Sequence, residues 1–320
     1  MLTQSFSIIT PSFNSLSDLP RCIGSIRGQV LRNGDEASNI RVEHIVQDGG
    51  SEHWQTFVGT LRGSSRKSLG ENYQFDFYSG SDHGMYDAIN LGWEKSSGEI
   101  LSWLNCDEQY LPGTLQTVAS YFAKHPEMDA VFGDAIIVDL NGNPLAARRE
   151  IPLRKLYVAN GFLYALSCTL FYRRSLWEKG VLRLDSNYKF SSDADLVLRL
   201  LDTGVRFGHI PKYLSLFGVG DSNLSFQREM IEEGDQLKSK YGRFAYKPVR
   251  RLVMGGRHLE RLFSGCYRTD NLCFDYCLNA IPEYRQVRVE RIGHRFEYDW
   301  YRPSDEGSAS HKFGNGSGAK

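Results

Sequence analysis

The sequence predicts an α/β fold built on a mixed, mainly parallel sheet flanked by helices. Over the first 140 residues, short apolar runs alternate with amphipathic segments, and this alternation is typical of parallel strands joined by helical crossovers. Of the 320 residues, 41% are apolar and 24% are charged, which are ordinary values for a globular protein. A wholly disordered or fibrous chain is therefore excluded.

The predicted elements follow one another in regular order. Four strands are expected at "FSIITPSFN", "RVEHIVQDGG", "YQFDFYSG" and "GEILSWLN". Helices are expected between them, over about 16–29, 53–62 and 84–96.

Two further elements are expected beyond the fourth strand. A hairpin over 129–147 is predicted to turn at Asn141-Gly142, a pair suited to a type I′ turn. A helix over 191–204 is expected to be capped by Ser191 or Ser192 and to end at Gly204.

Polar loops follow all four predicted strands. They read "TPSFN", "QDGGS", "SGSDHG" and "NCDEQ", and none contains GxGxxG or the phosphate-binding pattern GxxxxGK[ST]. Ligands of open α/β sheets bind beyond the carboxyl ends of the strands, so these loops are the predicted site. The standard dinucleotide and nucleoside triphosphatase sites are disfavoured.

The fourth of these loops contains a predicted metal ligand. Mg²⁺ and Mn²⁺ prefer oxygen ligands and often take only one or two carboxylates together with phosphate oxygens. Asp107 follows the fourth strand directly, and Asn105 and Glu108 are its neighbours. We expect Asp107 to hold Mn²⁺ or Mg²⁺.

Several blocks of the sequence together resemble the bacterial-type family 2 glycosyltransferases, which have the GT-A fold. In chain order these blocks are "IITPSFN", "DGGS", "SDHGMYDAINLGWEKSSGEILSWLNCDE", "FYRRSLWEKG" and "SDADLVLRLLDTG". The resemblance spans roughly residues 5–225. It implies transfer of a sugar from a nucleotide diphosphate sugar, with inversion, to a hydroxyl group.

The resemblance also implies roles for individual residues. The loop from Thr10 through Pro11 and Phe13 to Asn14 would pack against the nucleotide base. Its implied polar contacts are Asp48 with the base edge, Asp82 with the nucleoside, and Asp107 with the metal as an acid of the family's DxD element. Asn105 stands where the family has the first DxD acid, which removes one negative charge from the metal site.

The catalytic base is assigned to the predicted helix over 191–204. Asp193 aligns with the family's catalytic acid and would accept the proton of the acceptor hydroxyl. Asp195 would point elsewhere on the helix and hold the helix start or a neighbouring arginine.

The predicted function is metal-assisted transfer from a UDP-sugar to a saccharide or lipid-linked saccharide. Two alternatives stay open: a sugar nucleotidyltransferase, and a non-catalytic module that binds nucleotide sugars. The former should have a Gly-rich loop after the first strand, where "TPSFN" stands, and the latter is favoured by Asn105. A homo-oligomer is also left open.

The rest of the chain is predicted as an extension of the GT-A domain. The domain is expected over 1–224, an Arg-rich helical extension over 225–302, and a disordered Gly/Ser-rich tail over 303–320. Charge balances at 38 basic and 38 acidic residues, which argues against a nucleic-acid partner. The N-terminus lacks secretory features, so a cytoplasmic protein is expected, with peripheral contact at the inner face of the membrane through the extension.

The six cysteines show no CxxC pair and no zinc-site spacing, so reduced, structural thiols are expected. Cys273 and Cys277 would share a face if their segment were helical, with packing as their expected role.

Overall fold

The computed structural model describes residues 4–31, 40–65, 72–220, 228–242, 244, 247–269 and 271–294. The predicted tail over 303–320 lies outside these ranges.

Eleven strands are present in the described part of the chain. They are β1 (Gln4–Ser12), β2 (Ile40–Asp48), β3 (Tyr73–Ser79), β4 (Ile100–Trp103), β5 (Gln109–Tyr110), β6 (Ala130–Asp139), β7 (Pro144–Arg148), β8 (Phe171–Arg173), β9 (Phe207–Val219), β10 (Leu272–Cys277) and β11 (Tyr284–Val289).

The described ranges also hold nine α-helices. These are α1 (Leu19–Leu31), α2 (Trp54–Ser65), α3 (Met85–Lys95), α4 (Thr114–Lys124), α5 (Lys155–Asn160), α6 (Arg174–Glu178), α7 (Ser192–Asp202), α8 (Arg228–Tyr241) and α9 (Lys247–Phe263).

The main sheet is mixed, with its strands in the order β3-β2-β1-β4-β8-β6-β9-β5 and β7 paired with β6. Strands β3, β2, β1 and β4 are parallel to one another, while β8 runs antiparallel to both β4 and β6. The predicted mixed, mainly parallel sheet is confirmed, since its first four strands are parallel and β8 is antiparallel. Helices α1 and α3 pack on this part of the sheet, where Ile8 and Ile9 of β1 are fully buried on its two faces.

The β6–β7 hairpin is present, but its predicted type I′ turn is wrong. The Gly142 amide donates to the Asp139 carbonyl, and only Gly142 in this turn has a positive φ, of 80°. A type I′ turn needs positive φ at both central residues, and Asn141 does not have one. The turn is therefore a type I turn followed by a left-handed glycine, held by the Asp139 side chain, which accepts from the Asn141 and Asn143 amides.

The extension is helical only in its first part, so the prediction of a helical segment reaching residue 302 is wrong. After α9, strands β10 and β11 form an antiparallel hairpin. Cys273 and Cys277 lie on this hairpin, the first exposed and the second buried, and all six cysteines are free thiols. Alternation of inward Leu272, Phe274 and Tyr276 with more exposed residues explains the strand.

The hairpin is closely joined to the main sheet. The Gln109 side chain exchanges two hydrogen bonds with the backbone of Cys277, at 2.8 and 3.1 Å. A Cβ at Gly24 of α1 would lie 1.9 Å from the Asn279 carbonyl oxygen, so only glycine allows this approach.

Within the described ranges, no helix has both the length and the apolar character needed to cross a membrane.

Candidate active site

A large cavity of about 1790 Å³ opens beyond the carboxyl ends of β1 and β4. Its walls come from the loops after these strands, from the start of α7 and from α8 and α9 of the extension. Seven predicted site residues line it together: Pro11, Phe13, Asn14, Asp82, Asn105, Asp107 and Asp193. Thr10 and Asp48 do not line it, and both lie beneath its surface.

The loop after β1 presents an aromatic ring to the cavity. Phe13 is 63% exposed although it is apolar, and it lines the cavity beside Asn14. Asn14 has a φ of 52°, and its amide donates to the Ser51 hydroxyl at 2.7 Å. Thr10 is fully buried and bonded to His44 at 2.9 Å, so it fixes the strand below the loop.

Asp48 is fully buried and is already saturated with hydrogen bonds. Its carboxylate accepts from the amides of Gly50 and Ser51 and from the hydroxyls of Ser51 and Ser79. These bonds hold the "DGGS" turn in shape. The structure therefore gives Asp48 a role in positioning Gly49, which does line the cavity.

Asp82 lies across from that turn. A Cβ at Gly49 would lie 3.0 Å from its carboxylate, and the Gly84 amide donates to that carboxylate at 2.9 Å. Burial raises the pKa of Asp82, and the nearby Asp87 and Asp48 raise it further against the opposing Gly84 hydrogen bond. A carboxylate in this position favours a ligand that brings hydrogen-bond donors.

The loop after β4 brings three oxygen-bearing side chains together. Burial raises the pKa of Asp107 to about 6; Asp18 raises it too, and Arg21 opposes this. Glu108 is buried, and its pKa is well above the ordinary value because of burial and the charge of Asp107. Gly218 of β9 lies against this loop, since a Cβ there would be 2.1 Å from the Asp107 carbonyl oxygen.

Two oxygen atoms in this loop are buried without a hydrogen-bond partner among the described residues: Oδ1 of Asn105 and Oε1 of Glu108. Buried oxygens of this kind carry a desolvation cost until a donor or cation satisfies them. Asn105 and Asp107 line the cavity, whereas Glu108 is buried and does not, and amide and carboxylate oxygens are ligands that Mg²⁺ and Mn²⁺ accept. No cluster of three or more His, Cys, Asp or Glu ligands occurs in the described part of the chain. The oxygens of Asp107 and Asn105 fit a cation that takes the rest of its shell from a ligand or water.

Asp193 is half-buried in the first turn of α7 and faces the same cavity. Burial raises the pKa of its carboxyl to about 6, against hydrogen bonds from the amides of Ala194 and Asp193 itself, and Glu233 adds to the rise. The predicted side-chain cap at the start of α7 is wrong. Ser191 makes no such bond, and the Ser192 hydroxyl accepts from the Asp185 amide.

Asp195, two residues on, has a different environment. It is buried and accepts hydrogen bonds from Arg199 at 2.7 Å, Lys240 at 2.9 Å and Tyr241 at 2.7 Å. Burial alone would raise its pKa, but these three donors lower it. Its predicted contact with a neighbouring arginine is confirmed, and the residue joins α7 to α8.

Sequence reasoning missed three residues of this site. Asp18 lines the cavity near Asp107 and is ion-paired with Arg21. Tyr86 of α3 is buried with its hydroxyl at the amides of Ser192 and Asp193. Glu233 of α8 accepts from the Lys189 and Phe190 amides, which fixes the loop before Asp193.

Only Asp18 had a signal in the sequence, because it follows the first strand-end loop. The contacts of Tyr86 and Glu233 depend on how distant helices pack.

The sequence of the chain matches known glycosyltransferases. Residues 7–180, more than half of the chain, match the family described as glycosyl transferase family 2. A PGL/p-HBAD biosynthesis glycosyltransferase of Mycobacterium bovis is 32% identical over 142 residues, which cover 44% of this chain and 50% of that protein. An uncharacterised glycosyltransferase of Mycobacterium tuberculosis is 38% identical over 104 residues, covering 32% and 34%. The chain thus spans half or less of the length of these relatives.

Solved structures share its fold at low sequence identity. S. aureus TarS 1-349 has a TM-score of 0.53 at 17% identity, over 81% of this chain and 72% of that one. The mannosyltransferase PcManGT of Pyrobaculum calidifontis, solved with GDP-Man and Mn²⁺, has a TM-score of 0.53 at 15% identity, over 79% and 69%. The predicted GT-A fold is confirmed, and the chain belongs to glycosyl transferase family 2.

Proposed function

We propose that this member of glycosyl transferase family 2 is an inverting glycosyltransferase that uses a UDP-sugar and a hydroxyl acceptor. The observation that carries the proposal is the placement of Asp107 and Asp193 in one cavity, although 85 residues separate them in the chain. We assign Asp107 to the metal and the diphosphate, and Asp193 to the base.

The reaction follows from these positions. The Asp193 carboxylate accepts the proton of the acceptor hydroxyl as that oxygen attacks the anomeric carbon of the donor. The bond between this carbon and the diphosphate oxygen breaks, and the nucleoside diphosphate leaves with the electron pair. A pKa of about 6 suits the base, because the carboxylate is ionised near neutral pH and still holds a proton well in the transition state.

The leaving group also needs charge neutralisation, which is proposed to come from the loop after β4. Asp107, with Oδ1 of Asn105 beside it, would hold Mn²⁺ or Mg²⁺, which supplies Lewis-acid stabilisation of the diphosphate when bound. Asn105 contributes an uncharged oxygen, so fewer protein charges hold the ion than two acids would. The exposed ring of Phe13 would stack on the nucleotide base, beside Pro11 and Asn14, and Asp82 would accept from the nucleoside.

UDP is the proposed nucleotide because TarS, which shares the fold, has been solved with UDP and with UDP-GlcNAc. A sugar nucleotidyltransferase is the weaker alternative, since the loop after β1 contains no glycine and presents Phe13 to the cavity. A non-catalytic module would not need a raised pKa at Asp193.

The experiment compares Asp193→Asn with wild type in transfer from UDP-glucose and UDP-GlcNAc to a panel of saccharide acceptors with Mn²⁺. We expect a loss of at least about a hundredfold in rate, the usual contribution of a general base, with the thermal shift from UDP unchanged. Asp202→Asn is the matched control on the same helix, because Asp202 is exposed and pairs with Lys155 away from the cavity.

Each result has a distinct meaning. Unchanged transfer in Asp193→Asn would refute the base, and the absence of any shift with UDP and Mn²⁺ would refute the donor site. A shift without turnover in wild type across the panel would favour the non-catalytic module.

The acceptor is proposed to be lipid-linked, which calls for a membrane contact. Helix α9 turns an apolar face to solvent: Leu252, Leu259 and Phe263 are 77%, 57% and 85% exposed. Positions 252, 259 and 263 share one side of a helix. The exposed Arg251 borders this face, so a bilayer with anionic lipids complements both its apolar and its basic parts. Gly255 and Gly256 do not interrupt the helix.

Vesicle sedimentation tests this contact. Wild type should bind vesicles containing phosphatidylglycerol, and the triple substitution of Leu252, Leu259 and Phe263 by serine should reduce binding at least about tenfold. Equal binding by both would refute α9 as the contact. A concentration-dependent dimer lost in the same variant would instead assign the face to a second copy of the chain.

A further inference from the structure

The wall of the cavity opposite the acidic loops is basic. It is formed by Arg148 at the end of β7 and by Arg257 and Arg261 of α9, and we name these three residues the basic wall. Arg257 and Arg261 are 1% and 7% exposed, which is unusual for arginine. The reaction proposed above uses none of them.

The three arginines share a single carboxylate. Glu150 lies 3.0 Å from Arg148, 2.6 Å from Arg257 and 3.5 Å from Arg261. Guanidinium groups stay protonated in proteins, so three positive charges meet one negative charge here. Burial lowers the pKa of Arg257, and Glu150 compensates only partly because Arg261 and Arg148 repel the same charge.

The neighbouring acid does not correct this imbalance. Asp134 lies 3.8 Å from Arg149 and 3.2 Å from His209, and Arg149 adds another positive charge. The four arginines and two carboxylates joined by these contacts leave a net charge of +2, since 4 − 2 = 2. Excess charge in a buried place is costly, and an anion entering the cavity would relieve it.

Two donors on the basic wall make no hydrogen bond to a described residue. They are the buried Nε atoms of Arg257 and Arg261, and that of Arg261 lies 3.5 Å from Glu150. Aromatic rings hold both guanidinium planes in place: Tyr164 and Phe162 at Arg257, and Tyr267 at Arg261. A fixed guanidinium with a free N–H is suited to an oxyanion, which accepts two parallel hydrogen bonds.

The basic wall is too far from the metal loop to hold the donor diphosphate. The register runs across the sheet from Gln109 to Leu216, then to Ile136 and to Ala147, which is next to Arg148. Three strand spacings separate Gln109 from Ala147, or about 14 Å. A diphosphate held at Asp107 therefore leaves room for the donor sugar before the wall is reached.

We propose that the basic wall binds an anionic group of the acceptor, a phosphate or a carboxylate. This inference rests on the proposed function and narrows its acceptor to acidic saccharides or phosphate-bearing lipid-linked saccharides. The anion would hold the acceptor with its hydroxyl toward Asp193, while its charge offsets the excess of the arginines. A neutral saccharide would lack this contact.

The probes are glycerol 1-phosphate, glucuronate and glucose, added to the full chain in EDTA so that metal-dependent binding at Asp107 does not contribute. Calorimetry and thermal shift are read for wild type, Arg148→Gln and Arg261→Gln. Arg41→Gln is the matched control, because Arg41 lies on β2, is exposed and does not line the cavity.

We expect wild type and Arg41→Gln to bind at least one of the two anions and not glucose. Each wall variant should bind that anion at least about tenfold more weakly, which is about 1.4 kcal/mol. Comparing glycerol 1-phosphate with glucuronate tells a phosphate-bearing acceptor from a uronic acid. Arg148 is the least buried of the three, so its variant carries the test if Arg261→Gln does not fold.

The thermal shift with UDP and Mn²⁺ separates this proposal from the proposed function. Retention of that shift in Arg148→Gln, with loss of anion binding, supports the basic wall as a separate site. Wild type that binds neither anion, or wall variants that bind as wild type does, would refute the basic wall while leaving the donor site intact. Loss of the UDP shift in Arg148→Gln would also refute it, because the arginine would then belong to the donor site.

Discussion

The two ends of the cavity solve opposite electrostatic problems in different ways. At the acidic end, Asp107 and Asp193 are partly removed from water, and burial raises the pKa of both to about 6. At the basic end, Arg257 and Arg261 are more deeply buried, yet a guanidinium cannot release its proton to relieve the cost. The protein therefore supplies Glu150 at that end, whereas no cation of the described residues is paired with Asp193.

The difference shows which of these charged groups can become neutral when no ligand is bound. A carboxylate whose pKa is near neutral becomes uncharged at small cost, so the acidic end tolerates the absence of a ligand. The basic end depends on Glu150 at all times. Two experiments test this contrast, one at each end.

The larger change in the free energy of unfolding is expected from a substitution at the basic end. Glu150→Gln would leave Arg148, Arg257 and Arg261 without a counter-charge, and removal of one partner from a buried ion pair costs about 3 kcal/mol or more. Urea unfolding at pH 7.5 measures this loss in the free energy of unfolding. Glu94→Gln on α3 is the control, since Glu94 is exposed and should change stability by less than about 0.5 kcal/mol. A loss below about 1 kcal/mol in Glu150→Gln would show that the arginines do not rely on this carboxylate.

The acidic end is also the part of the cavity whose lining the order of strands and helices predicts. Strand-end loops are local features, so Asn105, Asp107 and Asp82 could be expected to line one cavity, as they do. The GT-A fold could be predicted for the same reason. Asp48 was predicted to contact the edge of the nucleotide base. The motif "DGGS" does not show that its carboxylate accepts hydrogen bonds from Gly50, Ser51 and Ser79.

The basic wall shows where such reasoning stops. Arg148 and Glu150 come from the end of a hairpin, whereas Arg257 and Arg261 come from a helix more than 100 residues later. The Arg-rich segment "PVRRLVMGGRHLERLF" is typical of a solvent-exposed or membrane-bound helix. In the structure its arginines at 257 and 261 turn inward while Leu252, Leu259 and Phe263 turn out, the reverse of the usual pattern. Tertiary packing decides this orientation, and periodicity alone does not.

The smaller change is expected at the acidic end, where a substitution should increase the free energy of unfolding. The pKa of Asp193 is about 6 in the folded chain and 3.8 in the reference state, so between these values the folded state binds more protons than the unfolded state. The free energy of unfolding of wild type therefore falls as pH rises through this range. Among the described residues, the titratable groups that interact with Asp193 are Tyr86, Tyr172, Glu108 and Glu233, and none of them is a cation that would offset its charge.

Asp193→Asn removes this cost and should raise the free energy of unfolding by about 1 to 2 kcal/mol at pH 7.5, a figure reduced for the partial exposure of the side chain. The gain should shrink between pH 6 and pH 4 and vanish below the unfolded pKa, where wild type is also uncharged. Urea unfolding of both proteins at pH 7.5, 6, 5 and 4 measures this. Asp195→Asn provides the contrast within the same helix turn: it loses the bond from Arg199 to Oδ2 and the negative charge that strengthens those from Lys240 and Tyr241, so it should destabilise the chain at pH 7.5. A stability difference between Asp193→Asn and wild type that is independent of pH would show that burial does not control the charge of this acid, and the contrast between the two ends would fail.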